Sequence, residues 1–146
     1  GFDAAWNYKV GNDFDAKFAA LCPAGIDVYF DNVGGAITDA AIRHLSPGAR
    51  ICLCGQISQY NLEVPESGPR WLEQLIVTQA KVQGFLVSAY LERFPEGWAQ
   101  LTQWLHAGNL KYREDVAHGI EAAPQAFIGM LQGKNEGKQL VQLSEL

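Results

Sequence analysis

No apolar run in these 146 residues approaches the roughly 18 that a membrane-spanning helix needs, so the chain is expected to be soluble. Nor does a basic-then-apolar stretch open it, as a secretory signal would. Basic runs are missing too. Eleven Lys and Arg stand against 16 Asp and Glu, a net charge of −5, which argues against a nucleic-acid partner. A phosphate-bearing small ligand stays open, because such sites are built locally from backbone N–H groups and a few side chains. Cysteine is scarce: Cys22, Cys52 and Cys54 are an odd set, which suits reduced thiols in a cytoplasm better than a disulfide frame. Cys52 and Cys54 form C-x-C with no second ligand pair nearby, so no metal site is expected. There is no G-x-S-x-G, no Walker loop, no H-E-x-x-H, no internal repeat and no low-complexity stretch.

What is present is the composition of a folded domain, 48% hydrophobic and 11% aromatic, with length for one domain and its core. Asn12-Asp13 is placed to cap a helix carrying Phe14, Phe18 and Leu21 on one face. Ile26 to Val33 reads as a buried strand, Ala36 to Leu45 as a helix stopped by Pro47-Gly48, and Ala49 to Cys54 as a second strand. After a polar loop from Gln56 to Gly68, Pro69 fits the first position of a helix continuing through Leu72, Leu75, Ile76 and Gln79. Lys81 to Ser88 reads as a third strand around Gly84. A helix from Pro95 to Gly108, an extended stretch from Tyr112 to His118, a helix near Pro124 that stops at Gly133, and a strand from Gln139 to Leu143 complete the chain. Alternating strands and helices predict an α/β fold with a parallel sheet, and the apolar strands 26–33 and 49–54 predict cover on both faces.

In such sheets ligands bind beyond the carboxyl ends of the strands. Three ends carry polar or small residues. Asn32 in Asp31-Asn32-Val33-Gly34-Gly35 offers a donor and an acceptor beside two glycines; an ordinary capped turn has the same pattern. Cys54 and Gly55 leave space after the second strand for a flat ring, with hydroxyls on Ser58 and Tyr60; an unspecialised loop would also fit. Gly84 inside a strand marks either a ligand approach or an edge and dimer role. His44, His106 and His118 stand alone, and Glu63, Glu66 and Glu73 show no acid–base spacing, so these read as surface or satisfied groups.

Taken in order, the motifs resemble the zinc-independent medium-chain dehydrogenase/reductase superfamily, and within it the prostaglandin, alkenal and curcumin reductases. They are Gly1-Phe2-Asp3, Asn7-Tyr8-Lys9, Tyr29 through Gly35, Gly48 through Gly55, Gln56 through Asn61, Gln83-Gly84-Phe85, Lys111 through Glu114 and Gly133 through Lys138. The resemblance implies a partial Rossmann-type, doubly wound parallel sheet with helices on both faces. Residues 1–146 would be the latter part of the NADP-binding domain plus the C-terminal segment, with the glycine-rich loop and a GroES-like domain upstream of Gly1. It implies NADP(H) as cofactor. Tyr8 would contact the adenosine ribose and its phosphate, and Asn32 the nicotinamide ribose. Cys54, Gly55, Ile57, Ser58 and Tyr60 would wrap the middle of the cofactor, Phe85, Leu86 and Val87 would flank the nicotinamide, and Asn135 would reach it from the C-terminal segment. A tyrosine of some members is replaced here by the stretch Ile76-Val77-Thr78-Gln79, so no catalytic residue is named. A homodimer through the strand at 81–88 is implied as well.

The expected activity of the parent protein is NADPH-dependent reduction of the double bond of enones, alkenals or quinone-like substrates, in the cytoplasm. The alternative is a non-catalytic cofactor-domain fragment or scaffold. In either case the 146 residues alone are expected to bind dinucleotide weakly, because affinity depends on the phosphate loop.

Overall fold

The computed structural model describes residues 1–11 and 13–144. They form two compact units, Gly1–Leu91 and Glu92–Leu146, where length alone had suggested one domain.

The first unit begins with α1 (Phe14–Leu21), capped by Asp13, whose carboxylate accepts from the Ala16 N–H at 2.9 Å; Asn12, the other cap candidate, lies outside the described residues. Strand β1 (Ile26–Asp31), α2 (Ala36–Arg43), β2 (Leu45–Leu53), α3 (Leu72–Thr78) and β3 (Lys81–Gly84) follow. The strands pair in the order β1-β2-β3, all parallel. Asp31 is opposite Leu53, and Leu53 opposite Gly84, so the three carboxyl ends lie in one row.

Three boundaries depart from the sequence reading for a structural reason. Helix α2 stops at Arg43, and Pro47-Gly48 falls inside β2. There the register jumps from Ile26 opposite Leu45 to Val28 opposite Arg50, and Gly48 takes a φ of 77° that suits the bulge. Helix α3 starts at Leu72 instead of Pro69; Trp71 is its cap and packs against the core. Strand β3 ends at Gly84 instead of reaching Ser88, because its partner β2 ends at Leu53. The last link is Phe85 N–H to the Leu53 carbonyl at 3.2 Å, and the chain then turns into 3₁₀ helix at Val87.

The core is Phe18, Ile26, Ala40, Ala41, Ile42, Leu45, Ala49 and Ile51, with Trp6 edge-on to Phe18 at 5.4 Å. Phe14, Ile37 and Leu75 from the three helices pack on this one cluster, as do Tyr29, Leu53 and Val82 from the three strands. One face of the sheet is therefore covered within the unit. On the other, Val28 and Phe30 are 54% and 55% exposed. Asp15 ties α1 to α2 by accepting from Arg43 at 2.6 Å and meeting His44 Nε2 at 3.0 Å, and the Arg43 hydrogen bond holds the Asp15 carboxyl below its usual range.

The second unit contains α4 (Phe94–His106), β4 (Glu114–His118), α5 (Ala123–Leu131) and β5 (Lys138–Gln142). Strands β4 and β5 pair in parallel, Glu114 opposite Lys138 through His118 opposite Gln142. Among the described residues, every buried apolar side chain belongs to the first unit. The second is held by backbone pairing and half-exposed apolar groups.

Candidate functional site at the strand ends

The row of carboxyl ends is laced together by backbone groups. Asp31 carbonyl oxygen accepts from Cys54 N–H at 2.9 Å and Gly55 N–H at 3.1 Å, Asn32 carbonyl from Ile57 at 3.1 Å, and Val33 carbonyl from Ser58 at 3.0 Å. The Ser58 hydroxyl adds a 2.7 Å bond to the same Val33 oxygen. The 54–58 loop is thus fixed to the end of β1.

One carboxylate shapes the turn that receives these bonds. Asp31 is 1% exposed. Its Oδ1 accepts from the Val33 and Gly34 N–H groups at 2.8 and 3.0 Å, and its Oδ2 from the Thr38 hydroxyl at 2.6 Å. This arrangement satisfies the amides of a turn whose two glycines both sit at positive φ, 72° at Gly34 and 67° at Gly35. The Tyr29 hydroxyl completes the cluster, 3.4 Å from Thr38 Oγ1 and 3.5 Å from Asp31 Oδ1. Burial, with the Asp31 charge adding to it, pushes the Tyr29 phenol up to about 12.

Beside the row lies an apolar recess of about 430 Å³ lined by Phe30, Cys52, Gln83, Phe85, Val87 and Tyr90. Phe30 meets Phe85 edge-on at 5.8 Å, and Phe85 meets Tyr90 at 6.0 Å, so three rings form its walls. A smaller polar recess of about 250 Å³ lies over the start of α2. It is lined by Asp39, Gln56, Gln59 and Glu66 among others, and burial raises the Asp39 carboxyl.

The structure brings most of the expected residues together. Asn32, Cys54, Gly55, Ile57, Ser58, Tyr60, Phe85, Leu86 and Val87 all stand at or just past the aligned strand ends. Asn32 is exposed, and its side-chain amide has no hydrogen-bond partner among the described residues. The two hydroxyls are already engaged: Ser58 donates to Val33, and Tyr60 accepts from Gln56 N–H at 2.8 Å, closing the loop over Gly55. Leu86 is exposed, whereas Phe85 and Val87 line the recess. Tyr8 lies elsewhere in the first unit, lining a concavity with Phe2, Trp6 and Ile37. Asn135 belongs to the second unit, where its amide donates to the Gly137 carbonyl at 2.7 Å. Sequence reasoning missed Asp31 and Thr38 as the turn's anchor and Phe30, Cys52, Gln83 and Tyr90 as recess walls. Alternation along β1 and β2 would have put Phe30 and Cys52 on one face.

Residues 1–141 match the family model described as zinc-binding dehydrogenase. The chain belongs to the zinc-binding dehydrogenase family. Within that family it is 49% identical over 146 residues to a putative NADP-dependent oxidoreductase, YfmJ, of Bacillus subtilis, covering 99% of this chain and 43% of that one. It is 44% identical to a 2-alkenal reductase (NADP(+)-dependent) of Nicotiana tabacum, covering 99% of this chain and 42% of that one. The crystal structure of CurA in complex with NADPH from Vibrio vulnificus superposes with a TM-score of 0.89 at 45% identity, over 100% of this chain and 44% of that one. The chain therefore spans less than half the length of these relatives. Among the described residues no three His, Cys, Asp or Glu side chains gather as a metal site, and no helix is long and apolar enough to cross a membrane.

Proposed function

We propose that this chain forms the nicotinamide-facing part of an NADP(H) site in an oxidoreductase that reduces the double bond of α,β-unsaturated carbonyl compounds. The observation that carries this is the aligned row of parallel strand ends, laced by the 54–58 loop and opening beside a ring-walled apolar recess. That is where open α/β sheets bind nucleotides. The fit to the cofactor rests on the same place: a flat ring finds three aromatic walls and Val87, and a ribose finds the uncommitted amide of Asn32.

When bound, a reduced nicotinamide supplies the hydride. The residues of this chain hold and shield it. Asn32 offers both a donor and an acceptor at the end of β1, and the 54–60 loop presents backbone and apolar surface along the cofactor's middle. Phe85, Leu86 and Val87 would flank the ring, and Tyr8 would meet the adenosine end. Apolar walls line the place where a hydride acceptor would meet the ring. No side chain here is assigned as the proton donor. An alkenal substrate is supported by the 2-alkenal reductase among the relatives, and enones and quinones are proposed beside it.

The remaining assignments belong to the parent protein. Residues 1–146 are proposed as the latter part of its NADP-binding domain plus its C-terminal segment, which a coding sequence lacking a strand and glycine-rich loop upstream of Gly1 would refute. Among the described residues strand β3 lies at an edge of its sheet, which supports pairing with a second copy into a homodimer. A monomer mass by sedimentation would rule this out. Three free thiols suit a reducing cytoplasm, and a tagged protein found outside the cytoplasm would exclude it.

The activity is tested on the full-length protein containing this chain, by following NADPH absorbance with a panel of enones, alkenals and quinones. Substrate-dependent oxidation by at least one is expected. Inactivity with the whole panel contradicts the proposal.

A further inference from the structure

Resting on that reading of the strand ends, we propose that Thr38 and Asp31 are positioning residues for the cofactor site, acting through the turn between β1 and α2. Neither lines the apolar recess: Thr38 is buried in α2, and Asp31 is buried at the end of β1. Their influence passes through a short relay. The Thr38 hydroxyl holds Asp31 Oδ2 at 2.6 Å, the shortest hydrogen bond in the cluster. That contact fixes the rotation of the carboxylate, so that Oδ1 meets both the Val33 and Gly34 N–H groups. The turn held this way aims the Asn32 and Val33 carbonyls at the 54–60 loop, which binds them through Ile57 and Ser58. The carbonyl of Asp31 itself takes Cys54 and Gly55. Among the described residues, the backbone links from the 54–58 loop to β1 and its turn all end on residues 31–33, whose geometry one carboxylate sets.

Two consequences separate this role from general support of the fold. Loosening the carboxylate should release the loop without unpairing β1 from β2. It should also weaken cofactor binding without slowing the step that follows, because the recess walls Phe85, Val87 and Tyr90 come from beyond β3, and among the described residues no hydrogen bond joins them to the relay.

The test uses the full-length protein with Thr38→Val, which keeps the shape of the side chain and deletes the donor, and Thr38→Ser, which keeps the donor. In Thr38→Val, amides of 54–58 are expected to exchange about tenfold faster and KM for NADPH to rise about tenfold, the equivalent of one lost hydrogen bond. The amides that pair β1 with β2 should keep wild-type protection, kcat should change by less than about twofold, and Thr38→Ser should restore both readouts. Wild-type loop exchange in Thr38→Val overturns the proposal, as does a fall in kcat at unchanged KM. If the wild-type protein oxidises NADPH with no substrate, the activity reading fails by itself. The exchange measurement still decides whether Thr38 sets the loop.

Discussion

Replacing Asp31 with leucine is expected to destabilise the first unit by about 3 kcal/mol or more. Leucine keeps the branched outline of the lost side chain and is bulkier, so cavity formation is not the main cost. The cost is polar. The Val33 and Gly34 amides and the Thr38 hydroxyl all donate to this carboxylate, in a place where Asp31 is 1% exposed and Gly34 is buried. Each orphaned donor costs roughly 1–3 kcal/mol, and the three together outweigh any gain from a buried methyl group. Urea denaturation monitored by tryptophan fluorescence gives the comparison. Asp31→Asn, which keeps one acceptor oxygen, should fall between wild type and leucine, and a leucine variant within about 1 kcal/mol of wild type would contradict the assignment.

The second large effect is expected in the other unit. A Cβ on Gly137 would collide with the backbone of Arg113, whose carbonyl carbon lies 2.6 Å from the position that atom would take. Backbone cannot swing aside as a flexible side chain can, so the adjacent Lys138 N–H to Arg113 carbonyl bond, 2.9 Å long, must open. That bond begins the β4–β5 ladder, from Glu114 opposite Lys138 to His118 opposite Gln142. Overpacking costs of about 1–3 kcal/mol are ordinary in well-packed cores. This unit has no buried apolar side chain among the described residues with which to absorb them. Gly137→Ala should therefore speed amide exchange in residues 138–142 by up to about a hundredfold, leaving 26–31 unchanged. Undisturbed exchange in 138–142 would show that the clash is relieved elsewhere.

The helices and strands were largely legible because their signals are local. Ile26, Val28, Tyr29 and Phe30 are strand formers between Gly25 and a glycine pair. Phe14, Phe18 and Leu21 share a helix face, and Asp13 caps it as expected. The candidate site was legible for a topological reason: a parallel sheet brings separate strand ends to one edge, so Asn32, the 54–60 loop and 85–87 had to converge. What escaped depends on distant partners. An aspartate ending a strand looks the same whether it caps in solvent or is buried against Thr38. The length of β3 is decided by where β2 stops, and Pro47-Gly48 was read as a helix stop because the bulge that holds it exists only once β1 is alongside. The loop-fastening bonds of Ser58 and Tyr60 also escaped, because their partners lie on other turns. The division into two units follows from how contacts partition along the chain, which periodicity does not record.

The most direct measurement is an amide hydrogen-exchange footprint of NADPH on the full-length protein that contains this chain. At saturating NADPH, added protection is expected at 32–35, 54–60 and 85–87, with little change along the core-facing helix α1. Saturation that leaves these three segments unprotected would contradict the assignment of the strand ends as the cofactor site.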